Sequence, residues 1–148
     1  MMELSILKMQ SRHLDALSEI EKSCFSRAWS RDALESEIDN ENALFLVAEN
    51  ENGVLGYVGC IFVLGEGSIT NVAVSPKFRR LGVGDALISA LIDNAKDINA
   101  QSIFLEVRKS NIPAQSLYKK HGFENCGLRR SFYRDPVEDA YIMRLLLK

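Results

Sequence analysis

In the run Ser102 to Arg108, Ser-Ile-Phe-Leu-Glu-Val-Arg, a single carboxylate sits among apolar and β-branched neighbours. If the run is extended, Ile103, Leu105 and Val107 take one face, and Phe104 and Glu106 the other. A carboxylate in that setting is rarely buried without a partner. Glu106 is therefore either a base placed for proton transfer or half of an ion pair, with Arg108 on the same face as the available cation. A second stretch, Phe78 to Leu87, places Gly82 and Gly84 where a helix is about to begin. Glycine inside a helix costs roughly 0.5–1 kcal/mol relative to alanine, so close approach of a ligand to bare backbone, or a tight turn, has to account for the pair. Successive N–H groups at a helix N-terminus form an anion cradle. The familiar phosphate motifs fail in detail. Gly84 is followed by Asp85 and Ala86 rather than by Lys and Ser or Thr, and Leu87 stands where a dinucleotide fingerprint needs a third glycine. What remains is Arg-x-x-Gly-x-Gly, Arg79 to Gly84, which reads either as a phosphate loop or as a glycine-eased turn.

These residues need elements to hold them. Met2 to Met9 reads as a strand, and Ser11 as the cap of a helix whose inward positions are Leu14, Leu17, Ile20 and Cys24. Ser30 caps a short helix with Leu34 and Ile38 inward and Asp32, Glu35, Glu37 and Asp39 on its other face. Ala43–Asn50 and Val54–Leu64 flank Asn52-Gly53, the strongest short hairpin signal. Ser68–Ser75 is a further strand, stopped by Pro76. After the glycines, Val83, Ala86, Leu87, Ala90, Leu91, Ala95 and Ile98 trace a long amphipathic helix. Asn111 caps a helix that starts through Pro113 and ends at Gly122, and two strands close the chain. The order β-α-α-β-β-β-α-β-α-β-β predicts an α/β fold with a mixed sheet and about four helices.

The 148 residues fit one domain, 1–148, with no repeat or linker. Eighteen basic against twenty acidic side chains argue against a general nucleic-acid binder. Cys24, Cys60 and Cys126 have neither the number nor the spacing of a disulfide framework or a zinc site, and read as buried small hydrophobes. With no metal motif, no signal peptide and no long apolar run, the expectation is a cytoplasmic protein that binds no membrane. His121, just before Gly122, reads as a helix C-cap.

The strand Ser68–Ser75, the Arg-x-x-Gly-x-Gly loop and the helix after it resemble the acetyl-CoA-binding core of the GCN5-related N-acetyltransferases. The resemblance runs through Phe104–Asn111, Ala114–Phe123 and the terminal hairpin, covering nearly the whole chain. Within that family the runs Leu-Glu-Val-Arg-x-Ser-Asn, Ala-x-x-Leu-Tyr-x-x-x-Gly-Phe and Arg-Arg-x-Phe-Tyr are similar to those of bacterial ribosomal-protein-alanine N-acetyltransferases. The resemblance implies the family's fold and acetyl-CoA as co-substrate. The backbone of Val72, Ala73 and Val74 would pair with the pantetheine arm as with an added strand. Arg80, Leu81, Gly82, Val83, Gly84 and Asp85 would surround the pyrophosphate, mainly through main-chain N–H, and Asn111 would hydrogen-bond the cofactor. Glu106 becomes the general base, acting through water, and Tyr118 the general acid for the departing sulfur; the alternative for Tyr118 is a core aromatic beside Leu117.

The implied acceptor is a protein N-terminal α-amine, an alanine of a small-subunit ribosomal protein. An α-amine has a pKa of about 7.7–8.0, against about 10.4 for lysine, so a carboxylate base has little to do at neutral pH. The acidic positions Asp32 to Asp39 read as a solvated surface, or as an attraction for a basic peptide. Two departures bear on the acceptor: Ala28 replaces the proline of a common Pro-Trp-Ser, and Phe132 replaces a tyrosine. Acetylation of a lysine or a small amine, and a non-catalytic acyl-CoA module, remain as alternatives, the last opposed by the presence of both Glu106 and Tyr118.

Overall fold

The computed structural model describes residues 3–147. Seven strands form one sheet in the order β1-β2-β3-β4-β5-β7-β6. They are β1 (Ser5–Lys8), β2 (Ala43–Asn50), β3 (Gly53–Val63), β4 (Glu66–Val74), β5 (Ser102–Arg108), β6 (Glu124–Tyr133) and β7 (Glu138–Leu146). The helices are α1 (Leu14–Cys24), α2 (Arg31–Ser36), α3 (Val83–Asp97) and α4 (Ile112–Lys120). The predicted order holds, with two short 3-10 turns added before α1 and α3.

Each sheet face has its own apolar layer. Leu87, Ile88, Leu91 and Ala95 of α3 and Tyr118 of α4 meet Ile103, Leu105 and Val107 on one side. Leu14, Leu17 and Ile20 of α1 and Leu34 of α2 cover Phe45, Val47, Tyr57 and Ala73 on the other. Ile98, expected inward, lies past the end of α3 and is 59% exposed.

Several boundaries differ from the sequence reading. The first strand spans Ser5–Lys8, and Met2 lies outside the described residues. Ser11 is not the cap of α1; it opens a 3-10 turn, and the N–H of Gln10 donates to His13 Nδ1 at 2.9 Å. Leu64-Gly65, both at positive φ, make a second hairpin turn, so β4 begins at Glu66 rather than Ser68. Helix α2 ends at Ser36, so Glu37 and Asp39 fall beyond it, and Arg31 lies 2.7 Å from Asp15 and 3.9 Å from Glu35. The expected acidic helix face is thus short and partly neutralised. Of the cysteines only Cys60 is buried; Cys24 is half-buried and Cys126 exposed.

One part of the sheet controls the site. β4 and β5 are parallel and pair only at Glu66↔Ser102, Gly67↔Ile103 and Ser68↔Phe104. A right-handed crossover through α3 is the usual route between such strands. Beyond Ser68 the two strands splay. On the other edge of β4, the register against β3 slips between Gly59 and Cys60, which leaves Thr70 as an extra residue, a bulge that bends the strand.

His13 gives the fold an acid sensitivity. Its ring is buried, with Nδ1 accepting from Gln10 and Nε2 3.2 Å from Glu49. Burial first, then Arg12, depress its pKa below the ordinary 6.5, against the pull of Glu49. The folded chain therefore holds a neutral ring, which the unfolded chain protonates as pH falls below 6.5. This contribution is complete above that pH and is lost as the pH falls toward the lower folded value. The melting temperature should drop between pH 7 and pH 5 by more in the wild type than in His13→Leu. Equal drops would remove His13 as the cause.

Candidate active site

The edge of β4 that β5 abandons is an unpaired strand. The N–H of Ser75 donates to Leu55 C=O at 2.8 Å, and Ala73 stands opposite Tyr57 in the same register. Antiparallel pairs alternate between bonded and non-bonded, so the main-chain groups of Ala73 point to β3, while those of Val72 and Val74 point into the splay. Of the three residues expected to offer backbone there, two have it free to do so. The Val74 carbonyl already accepts the Cys24 thiol at 3.5 Å and Arg79 Nε at 3.3 Å, which leaves its N–H and the groups of Val72 as the open positions.

Past β4 the chain turns through Arg80 at φ +64° and Gly82 at φ +86°, the latter capping α3. The N–H of Ala86 is the first to bond back into the helix, to Gly82 C=O at 3.0 Å. The N–H groups of Val83, Gly84 and Asp85 therefore have no intrahelical acceptor and face outward with the positive end of the dipole. The structure separates the two glycines. Gly82 serves a left-handed backbone. Gly84 serves packing, because a Cβ there would lie 3.2 Å from Leu117 of α4. The Asp85 carboxylate turns away from the loop to His121 Nε2 at 3.0 Å and Lys120 Nζ at 3.2 Å. Burial works to raise its pKa, but His121 and Lys120 hold it below the ordinary value. Asp85 can thus offer the site its N–H, not its charge. Asn111 caps α4 by accepting from Ala114 N–H at 3.2 Å, and His121 is the C-cap. The Asn111 oxygen is committed, and its amide nitrogen is what remains for a ligand.

Glu106 lies on β5 just beyond the last β4 pairing, on the sheet face opposite α3 and α4 and 29% exposed. Its ion-pair partner is Arg129 of β6, at 3.5 Å, and not Arg108 as the sequence suggested. Tyr118 is buried on α4 with its ring 5.9 Å from Phe123, so it is a core aromatic as well as a site candidate. Among the described residues no buried side-chain N or O lacks a partner. Burial, then Tyr133, raise the pKa of Tyr118, which keeps the proton on the phenol. Burial and then the Glu106 carboxylate push Tyr133 up to about 12, with Arg108 opposing. Tyr133 is thus within electrostatic range of both Glu106 and Tyr118, which lie on opposite faces of the sheet.

Two loops wall the open side of the splay. Ser26 Oγ, in the α1–α2 loop, donates to Asp135 C=O at 2.9 Å, and Arg27 pairs with the Asp135 carboxylate. Glu21, on α1 and 1% exposed, accepts from Tyr57 OH at 2.6 Å and from Trp29 N–H at 2.8 Å, fixing the base of that loop. Sequence reasoning passed over Glu21, although a carboxylate seven residues after Leu14, within the apolar stripe, is the same kind of signal that exposed Glu106. No helix among the described residues is long and apolar enough to cross a membrane, and no cluster of three His, Cys, Asp or Glu stands ready for a metal ion.

The splayed parallel pair, the bulged strand and the anion-ready helix start leave a free strand edge beside a set of outward N–H groups, and comparison with known proteins gives the class. Residues 14–123 match the acetyltransferase (GNAT) family. The chain belongs to that family, whose members transfer acetyl from acetyl-CoA. A Bacillus subtilis protein provisionally named a ribosomal protein bS18-alanine N-acetyltransferase is 37% identical over 140 residues, 94% of this chain and 93% of that protein. The Escherichia coli K12 ribosomal protein bS18-alanine N-acetyltransferase is 32% identical over 143 residues, 95% and 96% of the two chains. The crystal structure of the E. coli ribosomal-protein-S18-alanine N-acetyltransferase superposes with a TM-score of 0.90 at 31% identity, covering 99% of this chain and 95% of that one.

Proposed function

We propose that the enzyme acetylates the N-terminal alanine of ribosomal protein bS18 in the cytoplasm, with Glu106 as general base and Tyr118 as general acid. The observation that supports the proposal is the splay itself: a free strand edge lies between the outward N–H groups of α3 and the strand that carries Glu106. The named relatives act on that alanine, which supports the choice of acceptor.

On this reading the first-turn N–H groups of Val83, Gly84 and Asp85, with Arg80 and Leu81 beside them, hold the pyrophosphate. Val72 and Val74 align the pantetheine arm, Ala73 keeps their strand in register, and Asn111 adds its amide nitrogen. Glu106 accepts the amine proton through one water as nitrogen attacks the thioester carbon. The C–S bond then breaks, and the sulfur takes a hydrogen bond and then a proton from Tyr118. Because its pKa is raised, Tyr118 is always protonated and always a donor at working pH.

Two peptides of otherwise identical sequence test the acceptor, one with a free N-terminal alanine and one blocked at its N-terminus but carrying an internal lysine. Thiol release from acetyl-CoA should be faster with the first. A faster reaction of the blocked lysine peptide would move the enzyme to lysine modification. With no thiol release from either peptide, release on adding small amines would point to a small-amine acceptor, and none at all to a non-catalytic acyl-CoA module.

A further inference from the structure

Arg108 follows Glu106 by two residues on β5, yet none of its interactions is with the carboxylate. All its side-chain interactions go to the turn between β6 and β7 and to the residues that flank it. Nη2 donates to Arg134 C=O at 2.9 Å; Nη1 donates to Pro136 C=O at 2.9 Å and to Glu138 Oε1 at 3.1 Å. The guanidinium carbon lies 4.4 Å from the centre of the Tyr133 ring. The other Glu138 oxygen accepts the N–H of Ser110 at 2.7 Å, which ties the same turn to the loop before α4. An exposed turn has carbonyls that water would otherwise satisfy. Here one planar, permanently charged fork collects two of them, a carboxylate and an aromatic face. A lysine ammonium cannot reproduce that geometry.

What the turn carries makes this more than local stability. Tyr133, under the guanidinium of Arg108, itself two residues along β5 from Glu106, leads into the turn, and Asp135 at its tip holds Ser26 and Arg27 of the α1–α2 loop. One residue on the strand that bears the candidate base thus sets the wall across the acceptor side. We propose that Arg108 is a positioning residue for the acceptor amine: it touches neither cofactor nor amine, and fixes Tyr133 and the β6–β7 turn against Glu106. No side-chain contact of Arg108 reaches β4 or the start of α3, and Asn111 meets only its backbone carbonyl, at 2.9 Å, which Arg108→Lys keeps, so loss of the guanidinium should separate the two substrates.

The test is Arg108→Lys, with Glu138→Gln as a second disruption of the same fork. The inference rests on the acceptor reading only for the choice of peptide; if the wild type rejects the alanine peptide, that reading falls, and KM for whichever amine is used decides this one. In both variants the acceptor KM should rise about tenfold or more, the scale on which a small misplacement of a reactant acts. Acetyl-CoA affinity by calorimetry should stay within about twofold. Amides of residues 133–138 should exchange faster with solvent while those of α3 do not. An unchanged acceptor KM, a parallel loss of acetyl-CoA affinity, or variants too unstable to assay would each overturn the proposal, the last by making Arg108 a residue that merely holds the fold.

Discussion

Replacing Glu106 with glutamine should lower kcat by about 10²–10⁴-fold, the usual cost of losing a positioned acid–base group, while acetyl-CoA affinity stays nearly unchanged. The substitution keeps shape and removes the charge and with it the ability to take a proton. It also breaks the pair with Arg129, but that arginine is 54% exposed, and an ion pair that open contributes about 0–1 kcal/mol at most. Stability is therefore a poor explanation for any large effect. The cofactor elements are untouched. Steady-state kinetics with an alanine-terminated peptide, beside calorimetry with acetyl-CoA, would read both halves. Full activity in Glu106→Gln at neutral pH would leave the carboxylate as an ion-pair partner and nothing more.

Gly82→Val should abolish measurable acetyl-CoA binding in a chain that remains folded. No atom lies within 4 Å of the position a Cβ would take, so the change does not clash. The penalty is conformational. φ is +86° at this cap, and a side chain there costs about 1–2 kcal/mol, more for a β-branched one. A domain stable by about 5–15 kcal/mol survives that. The backbone can relieve the strain only by swinging out of the left-handed region, and the outward N–H groups of Val83 and Gly84 swing with it. Gly84→Ala is the matched control. Its Cβ meets one flexible methyl of Leu117 at 3.2 Å, so it should weaken binding much less. Calorimetry with circular dichroism distinguishes the cases, and unchanged affinity in Gly82→Val would take this loop out of the cofactor site.

Much of this was readable in the residues, for identifiable reasons. Amphipathic spacing placed α1 and α3 because a helix between sheet and solvent must show a period of 3.6. Asn111 with Pro113 and Gly122 fixed both ends of α4 through local backbone chemistry. Glu106 stood out because alternation makes a misplaced charge visible. The failures share a different cause. The Ser11 cap was lost to a competing bond between Gln10 and His13, a choice that depends on Glu49 arriving from another strand. The partner of Glu106 could not be read from β5 at all. Arg129 is brought there by the order β5-β7-β6, in which the last strand slips between its two neighbours. Likewise, nothing local shows that Ala73 and Val72 differ in where their backbone points, since that follows from the β3 register and the Thr70 bulge.

The short parallel contact between β4 and β5 also bears on how the chain folds. β1 to β4 form antiparallel pairs, and β5, β7 and β6 form another antiparallel group. Only three residue pairs join the two across the sheet, and closing that seam needs the whole length of α3 in between. Contacts near in sequence form ahead of those that must first close a long loop. The two groups should therefore acquire their pairings first and meet last, zipping from Glu66 and Ser102 and stopping at Ser68 and Phe104. The opening left where the zipping stops is then the mark of an assembly that ends before the strands do, and it leaves a strand edge free to pair with something that is not protein.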